Sequence, residues 1–355
     1  MSPARRMKSA DWDDLPRLLQ RVGDLLVELH FVDAAIEHFG PDLVLGQGDA
    51  TATYTVTLGW THPYAHTFVR PVISLGGSGD RAADVRRELD DLVATSRAWG
   101  SAQVADFVPG LQSLVTPDPD ALAAAAVTLG SIGDLLGGSV DTDLASLNAS
   151  LSHWYGDAKD GFVELSGGLS TSRELQAELA ATIGVASAGA VVAVCTARTS
   201  VVHLLVETAR RLDLQLQERA NRQTQTTLDV LRIAAPASSS IFSLVSLVPG
   251  GAVLGGIAAG ISSILGLVVD QLPDTETVDL PISSAPTAVG LLHSVRSRIL
   301  DNRDTQLDEA REQTTGRIQR VLDAGGYATL TPPRPELADH PVDADSFHHS
   351  SSESY

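Results

Sequence analysis

The residues able to do chemistry are few and widely spaced. Cys195 is the sole cysteine, and it sits in the apolar run Val191 to Ala197, where a thiol packs as a small hydrophobe. One cysteine allows no intramolecular disulfide and no cysteine-based zinc site. His62 and His66 are spaced like two ligands on one helix face, but Pro63 follows His62 and argues against that helix. His203 lies among Val201, Val202, Leu204 and Leu205, the setting of a core histidine. His348-His349 could chelate only weakly. Gly76-Gly-Ser-Gly79 precedes a helical pattern, as phosphate loops do, but lacks both the dinucleotide spacing and the Lys-Ser/Thr of a P-loop. Asp80 and Asp84 would oppose an anion there. There is no Gly-x-Ser-x-Gly, no His-Glu-x-x-His and no calcium loop. The sequence therefore predicts no catalytic, cofactor or metal site and a role other than catalysis. The non-helical region at 42–75 is the one obvious place where an enzyme could build a site.

Composition narrows the classes further. The 355 residues are 43% hydrophobic but only 5% aromatic, which favours helices packed through small and aliphatic side chains. The formal charge of −19 repels phosphate backbones, and the longest basic run is Arg210-Arg211, so no nucleic-acid partner is expected. The basic start Met1 to Lys8 has no apolar region behind it, so a conventional signal peptide is not expected.

Periodicity then places the elements. Leucines and valines from Leu15 to Ile36 recur at spacings of three and four, predicting a helix over 11–39 that Gly40-Pro41 ends. Tyr54, Val56, Leu58 and Trp60 alternate with other residues, a strand signal. With a second candidate at 68–75, interrupted by Pro71, they predict a small β hairpin within 42–75. A helix follows from Asp80. Pro117 and Pro119 mark a boundary, after which a long helix carries Leu122, Leu129, Ile132, Leu136, Leu147 and Leu151 on one face, with a kink expected at Gly137-Gly138. Ser166-Gly-Gly-Leu-Ser-Thr-Ser172 is expected to interrupt the returning helix, which then runs from Arg173 to about Arg232. Its part from Leu179 to Ala197 is uncharged and rich in Ala, Gly and Val, suited to tight packing. An extended connector spans 272–281, and a last helix covers 287–324. The organisation read from this is 1–116 as helix, β hairpin and helix, 117–326 as a long helical bundle, and 327–355 as a disordered tail.

Trp154-Tyr-Gly-Asp-Ala-Lys-Asp-Gly-Phe162 stands where helical phase changes. Its string Trp154, Gly156, Ala158 and Phe162 resembles the WXG family of type VII secretion substrates. The resemblance implies a bend between two antiparallel helices, over about residues 120–232, and export by a route independent of a signal peptide. The physical reading of these residues agrees: Gly156 permits the turn, and Ala158 and Phe162 begin the returning helix four residues apart. A Trp and a Gly closing an ordinary helical hairpin is the other reading. The family's Tyr-x-x-x-Asp/Glu export signal is not matched, because Lys159 stands at the acidic position after Tyr155.

Ala234 to Val269 contains no charged residue, and the rest of the chain is read as organised around it. Pro249, Gly250 and Gly251 divide it into limbs expected to form antiparallel helices over 241–248 and 252–269. As a helix, the longer limb would cover roughly 27 Å, close to a hydrocarbon core of about 30 Å. Gly251, Gly255, Gly256 and Gly260 have the small-xxx-small spacing that lets another helix approach closely, and Ile257 lies between them.

The expected fold is mainly α, an elongated helical bundle with a WXG-like hairpin, a central apolar hairpin and a small β element. It also resembles, in architecture only, the long-helix pore-forming toxins, which shelter an apolar hairpin until it is inserted. The expected function is that of a secreted or cell-surface, membrane-directed protein, with a lipid bilayer, a homo-oligomer or a helical secretion partner as the candidate partners. The alternative is a structural or assembly protein, of a secretion apparatus or phage-tail kind, whose apolar hairpin is buried between subunits. Without export the protein would be cytoplasmic.

Overall fold

The computed structural model describes residues 12–39, 52–59, 67–75, 80–153, 157–221, 230–234, 257–270, 275–279, 282–325 and 330. The fold is mainly α-helical. In chain order the helices are α1 (Leu15–Phe39), α2 (Asp80–Phe107), a 3-10 turn (Pro109–Leu111), α3 (Gln112–Val115), α4 (Pro119–Asp134), a π-helical turn (Leu135–Ser139), α5 (Val140–Ser150), α6 (Asp157–Asn221), α7 (Ile257–Asp270) and α8 (Ala285–Gly325). Backbone pairing also joins β1 (Ala52–Gly59) to β2 (Thr67–Leu75), and β3 (Val230–Ala234) to β4 (Thr275–Asp279), each pair antiparallel. The side chains of both ribbons lie outside the described residues, and the described core is helical.

The chain divides into two compact units, each assembled from separated stretches. The first joins 1–120, 192–238 and 268–306, and the second joins 121–191, 239–267 and 307–355.

Large aliphatic and aromatic side chains fill the first unit. Leu19, Leu26, Leu29 and Phe31 of α1 pack with Leu89 and Phe107 of α2, Leu111, Leu114, Leu204, Leu205 and Leu212 of α6, and Leu292 and Ile299 of α8. From Val22 to Leu29 every residue is buried, so α1 is covered all round there. That burial takes Asp24 and Glu28 with it. On the edge of this core the His30 ring stacks on Trp99 with centroids 4.4 Å apart, and its Nδ1 bonds the Ser96 hydroxyl. Ser284 and Thr287 bond each other's backbone amides to start α8, and Pro286 sits in the first turn where its missing N–H costs nothing.

Small residues fill the second unit. Ala123, Ala126, Ala177, Ala180, Ala181 and Ala188 are buried beside Val185, Ile257, Ile261 and Leu265. Within it α4 and α5 run antiparallel to the first part of α6. Asn148 Oδ1 accepts from the Ser166 hydroxyl, and a Cβ placed on Gly184 would lie 3.2 Å from the Ala126 carbonyl. The midpoints of these two pairs are residues 157 and 155, so the reversal falls between α5 and α6. Trp154 and Gly156, which were expected at the bend, lie outside the described residues.

Local expectations change, and the helix expected to run to about Arg232 ends at Asn221, with Val230–Ala234 in β3. Ser166 to Ser172 does not interrupt α6, which runs through it. The hydroxyls of Ser166 and Thr171 bond carbonyls of their own helix, while that of Ser172 bonds the Leu330 carbonyl, so these polar groups are satisfied without breaking the helix. The kink expected at Gly137-Gly138 takes the form of the π-helical turn. Leu330, placed in the expected tail, is held to α6: its carbonyl accepts from both Ser172 and Gln176.

Candidate functional site: a glycine-notched dock for the apolar helix

The one described part of the uncharged central stretch with side chains in view is α7, and its seat is built by α4 and α6. Ile257, Ile261 and Leu265 recur every four residues and so share one face. Their exposures are 9%, 0% and 2%. Fully burying such side chains is worth about 1.5–3 kcal/mol each, which makes this stripe the main force holding α7.

The stripe seats on missing side chains. A Cβ on Gly130 of α4 would come within 2.8 Å of Ile261 Cδ1 and 3.0 Å of Ala258 Cα. A Cβ on Gly184 of α6 would meet the same Ile261 Cδ1 at 2.9 Å, and one on Gly133 would meet Ile257 Cδ1 at 3.1 Å. Three glycines thus form notches that the isoleucines fill. Of the four glycines singled out in the sequence for close approach, only Gly260 lies among the described residues. The close approach uses glycines of the receiving helices, whereas Gly260 of α7 has open space where its Cβ would be.

The start of α7 is fixed by one carboxylate. Asp134, the last residue of α4, accepts at Oδ1 from the Ile257 amide (2.8 Å) and at Oδ2 from the Ala258 amide (3.1 Å). These are two of the four N–H groups that a helix cannot satisfy internally. A negative group is also favoured at this positive end of the helix dipole. Caps of this kind are worth about 1 kcal/mol. Away from this stripe, Ala259, Gly260 and Ser263 in the first turns are exposed.

Of the residues singled out in the sequence, Ile257 lies in this dock and Gly260 faces away from it. Pro249, Gly250, Gly251, Gly255 and Gly256 lie outside the described residues, as do His62, His66, His348 and His349. Phe162 is half-buried near the start of α6; Ala158 is in that helix with its side chain undescribed. Asp134, Gly130, Gly133 and Gly184 were not singled out. On α4 the spacing of Gly130, Gly133 and Asp134 by three and four was the one signal of a shared face. The apolar stripe expected on that helix is not its buried side: Ile132 and Leu147 are exposed.

A separate cavity of about 300 Å³ lies in the first unit, lined by Trp12, Asp13, Pro117, Asp118, Cys195 and Arg198 among others. Its arginine is engaged. The Arg198 guanidinium donates to the carbonyls of Leu114 and Pro117 and lies 5.0 Å over the Trp12 ring. Burial pushes the Cys195 thiol up to about 11, against the weaker pull of Arg198, so little of it is the nucleophilic thiolate near neutrality. Among the described residues no cluster of three or more His, Cys, Asp or Glu could hold a metal ion.

No protein-family model, no curated protein and no solved structure matches the chain.

Proposed function

We propose that this chain is a helical protein that stores an apolar helix for use at a lipid bilayer, and that it is exported by the signal-peptide-independent route that the Trp154-to-Phe162 string suggests. The observation that carries the membrane part is the seating of α7. The helix is uncharged from Ile257 to Val269, its stripe of Ile257, Ile261 and Leu265 is buried with the isoleucines against glycine notches, and its Ile257 and Ala258 amides bond Asp134 of another helix. Such a dock shelters apolar surface that would otherwise aggregate, and it can be vacated without dismantling the other helices. Among the described residues two other stretches are long and apolar enough to cross a membrane, one within Arg87–Ser150 and one within Lys159–Leu216, with 22% and 72% of their apolar windows buried; the described α7, at 14 residues, is shorter than that. Core helices pass the same test, so the weight rests on α7.

The test follows from which face is open. Ile257→Asp would disturb the dock itself, since Ile257 lies in it. Gly260→Asp instead adds a carboxylate where there is open space, leaving the stored form intact. A charge at the centre of a spanning helix costs about 2.5–3.5 kcal/mol or more. The parent protein is expected to release dye from phosphatidylcholine liposomes, and folded Gly260→Asp to release far less. Equal release by the two proteins would remove α7 from the membrane step, and no release by the parent would refute the reading.

A second reading, an assembly component, is favoured by a different observation. In the second unit Ile132, Leu135, Val163 and Ile183 are 41–59% exposed. Subunit contacts bury side chains of this kind. This reading predicts stable oligomers in solution and no dye release.

A further inference from the structure

Building on the membrane reading, we propose that Asp134 is the catch of an autoinhibitory dock: its carboxylate registers the first turn of α7, and the helix leaves the glycine notches as one unit when that contact is lost. The cap and the notches are one device. Gly130, Gly133 and Asp134 are three and four residues apart, so α4 presents two notches and the acceptor on a single face. The isoleucine contacts are apolar and carry little directional preference. The two N–H bonds to Asp134, at 2.8 and 3.1 Å, are directional and set where along the groove α7 begins.

A helix is ordinarily capped by the residue that precedes it. Here the acceptor comes from a residue 123 positions earlier in the chain. Starting the helix and docking it are therefore coupled. Undocked α7 loses the acceptor for two amides together with the cover over Ile257, Ile261 and Leu265. Docked, it leaves Ala259, Gly260 and Ser263 exposed, and a Cβ on Gly260 would meet open space. The contact opposes exposure of the apolar stripe and is absent once the stripe is used elsewhere, which is the property of an autoinhibitory contact.

Amide hydrogen exchange of the full-length protein reads the catch without any membrane. In Asp134→Asn, peptides covering 257–265 are expected to exchange at least about tenfold faster than in the parent, with 204–212 unchanged. Gly133→Ala should act in the same direction, because its Cβ would press on Ile257 Cδ1 at 3.1 Å. Exposed Ser263→Ala should change nothing. If Asp134→Asn lowers protection throughout, the same comparison is read in Asp134→Glu, which keeps the charge and moves the acceptor by one methylene. Unchanged exchange at 257–265 in the folded variant overturns the catch, whatever liposomes do. Faster exchange with increased dye release supports both the catch and the membrane reading. Faster exchange with no dye release from variant or parent supports the catch and overturns the membrane reading.

Discussion

The Arg173 guanidinium donates through Nη1 to the Leu136 carbonyl at 2.7 Å, within the π-helical turn that follows α4. A π-helical turn upsets the regular hydrogen-bond ladder, and here a cation from the facing helix takes up a carbonyl in it. Arg173 is buried, so removing it leaves the acceptor without a charged donor. Arg173→Gln is expected to lower unfolding stability by about 1.5–3 kcal/mol in urea titrations. A loss below about 0.5 kcal/mol would mean that the turn stands without it.

Asp24 predicts a pH dependence. It lies one turn from Glu28 inside the fully covered part of α1, and burial, then the Glu28 charge, push its carboxyl from 3.8 up to about 7. Unfolding returns it to the ordinary value, so between these limits the folded chain holds the proton more tightly. The contribution of this group to stability is fully present below about 3.8 and is lost as pH rises through about 7. Asp24→Asn should therefore raise Tm more at pH 8 than at pH 5. An equal gain at both pH values would show that Asp24 does not titrate in this window.

Glycine replacement should change sign with place. Alanine in a helix interior usually stabilises by about 1 kcal/mol relative to glycine. Gly167→Ala and Gly316→Ala meet open space and should follow that rule. Gly130→Ala would bring its Cβ within 3.0 Å of the Ala258 backbone, and Gly184→Ala within 3.2 Å of the Ala126 carbonyl, so both should destabilise. Thermal melts of the four variants check this. Stabilisation by Gly184→Ala would show that α6 and α4 are not in close contact there.

Cys195 should be sluggish. With the thiol at about 11, alkylation of the folded protein by iodoacetamide at pH 8 is expected to be at least about a hundredfold slower than after unfolding. Comparable rates would place the thiol in water.

Periodicity made most of the helical fold legible. The α1 pattern from Leu15 to Ile36 and the start of α8 near Thr287 stand within a few residues of their predicted positions. The dock was not legible, for a physical reason. Glycines in an apolar sequence suggest close approach, but not which helix supplies the notch. Gly260 has the expected spacing and faces outward, whereas Gly184 lies in a run whose alanines look equivalent to it. Asp134 reads as an ordinary surface acid until a helix more than a hundred residues away begins at its carboxylate. Ser166 to Ser172 misled because helix propensity is a local quantity, and partners such as the Leu330 carbonyl are not local.

The π-helical turn also bears on how the chain can change length. Each residue added to an α-helix rotates everything beyond it by about 100°, so an insertion between Gly130 and Gly133 would swing Gly133 and Asp134 out of line with Gly130. A π-helical turn absorbs one extra residue locally and leaves both flanks in phase. Leu135 to Ser139 is therefore a place where the helix can shed a residue. Removing Gly138 would restore a plain α-helix and leave the notched face in place. The same deletion between Gly130 and Gly133 would split it.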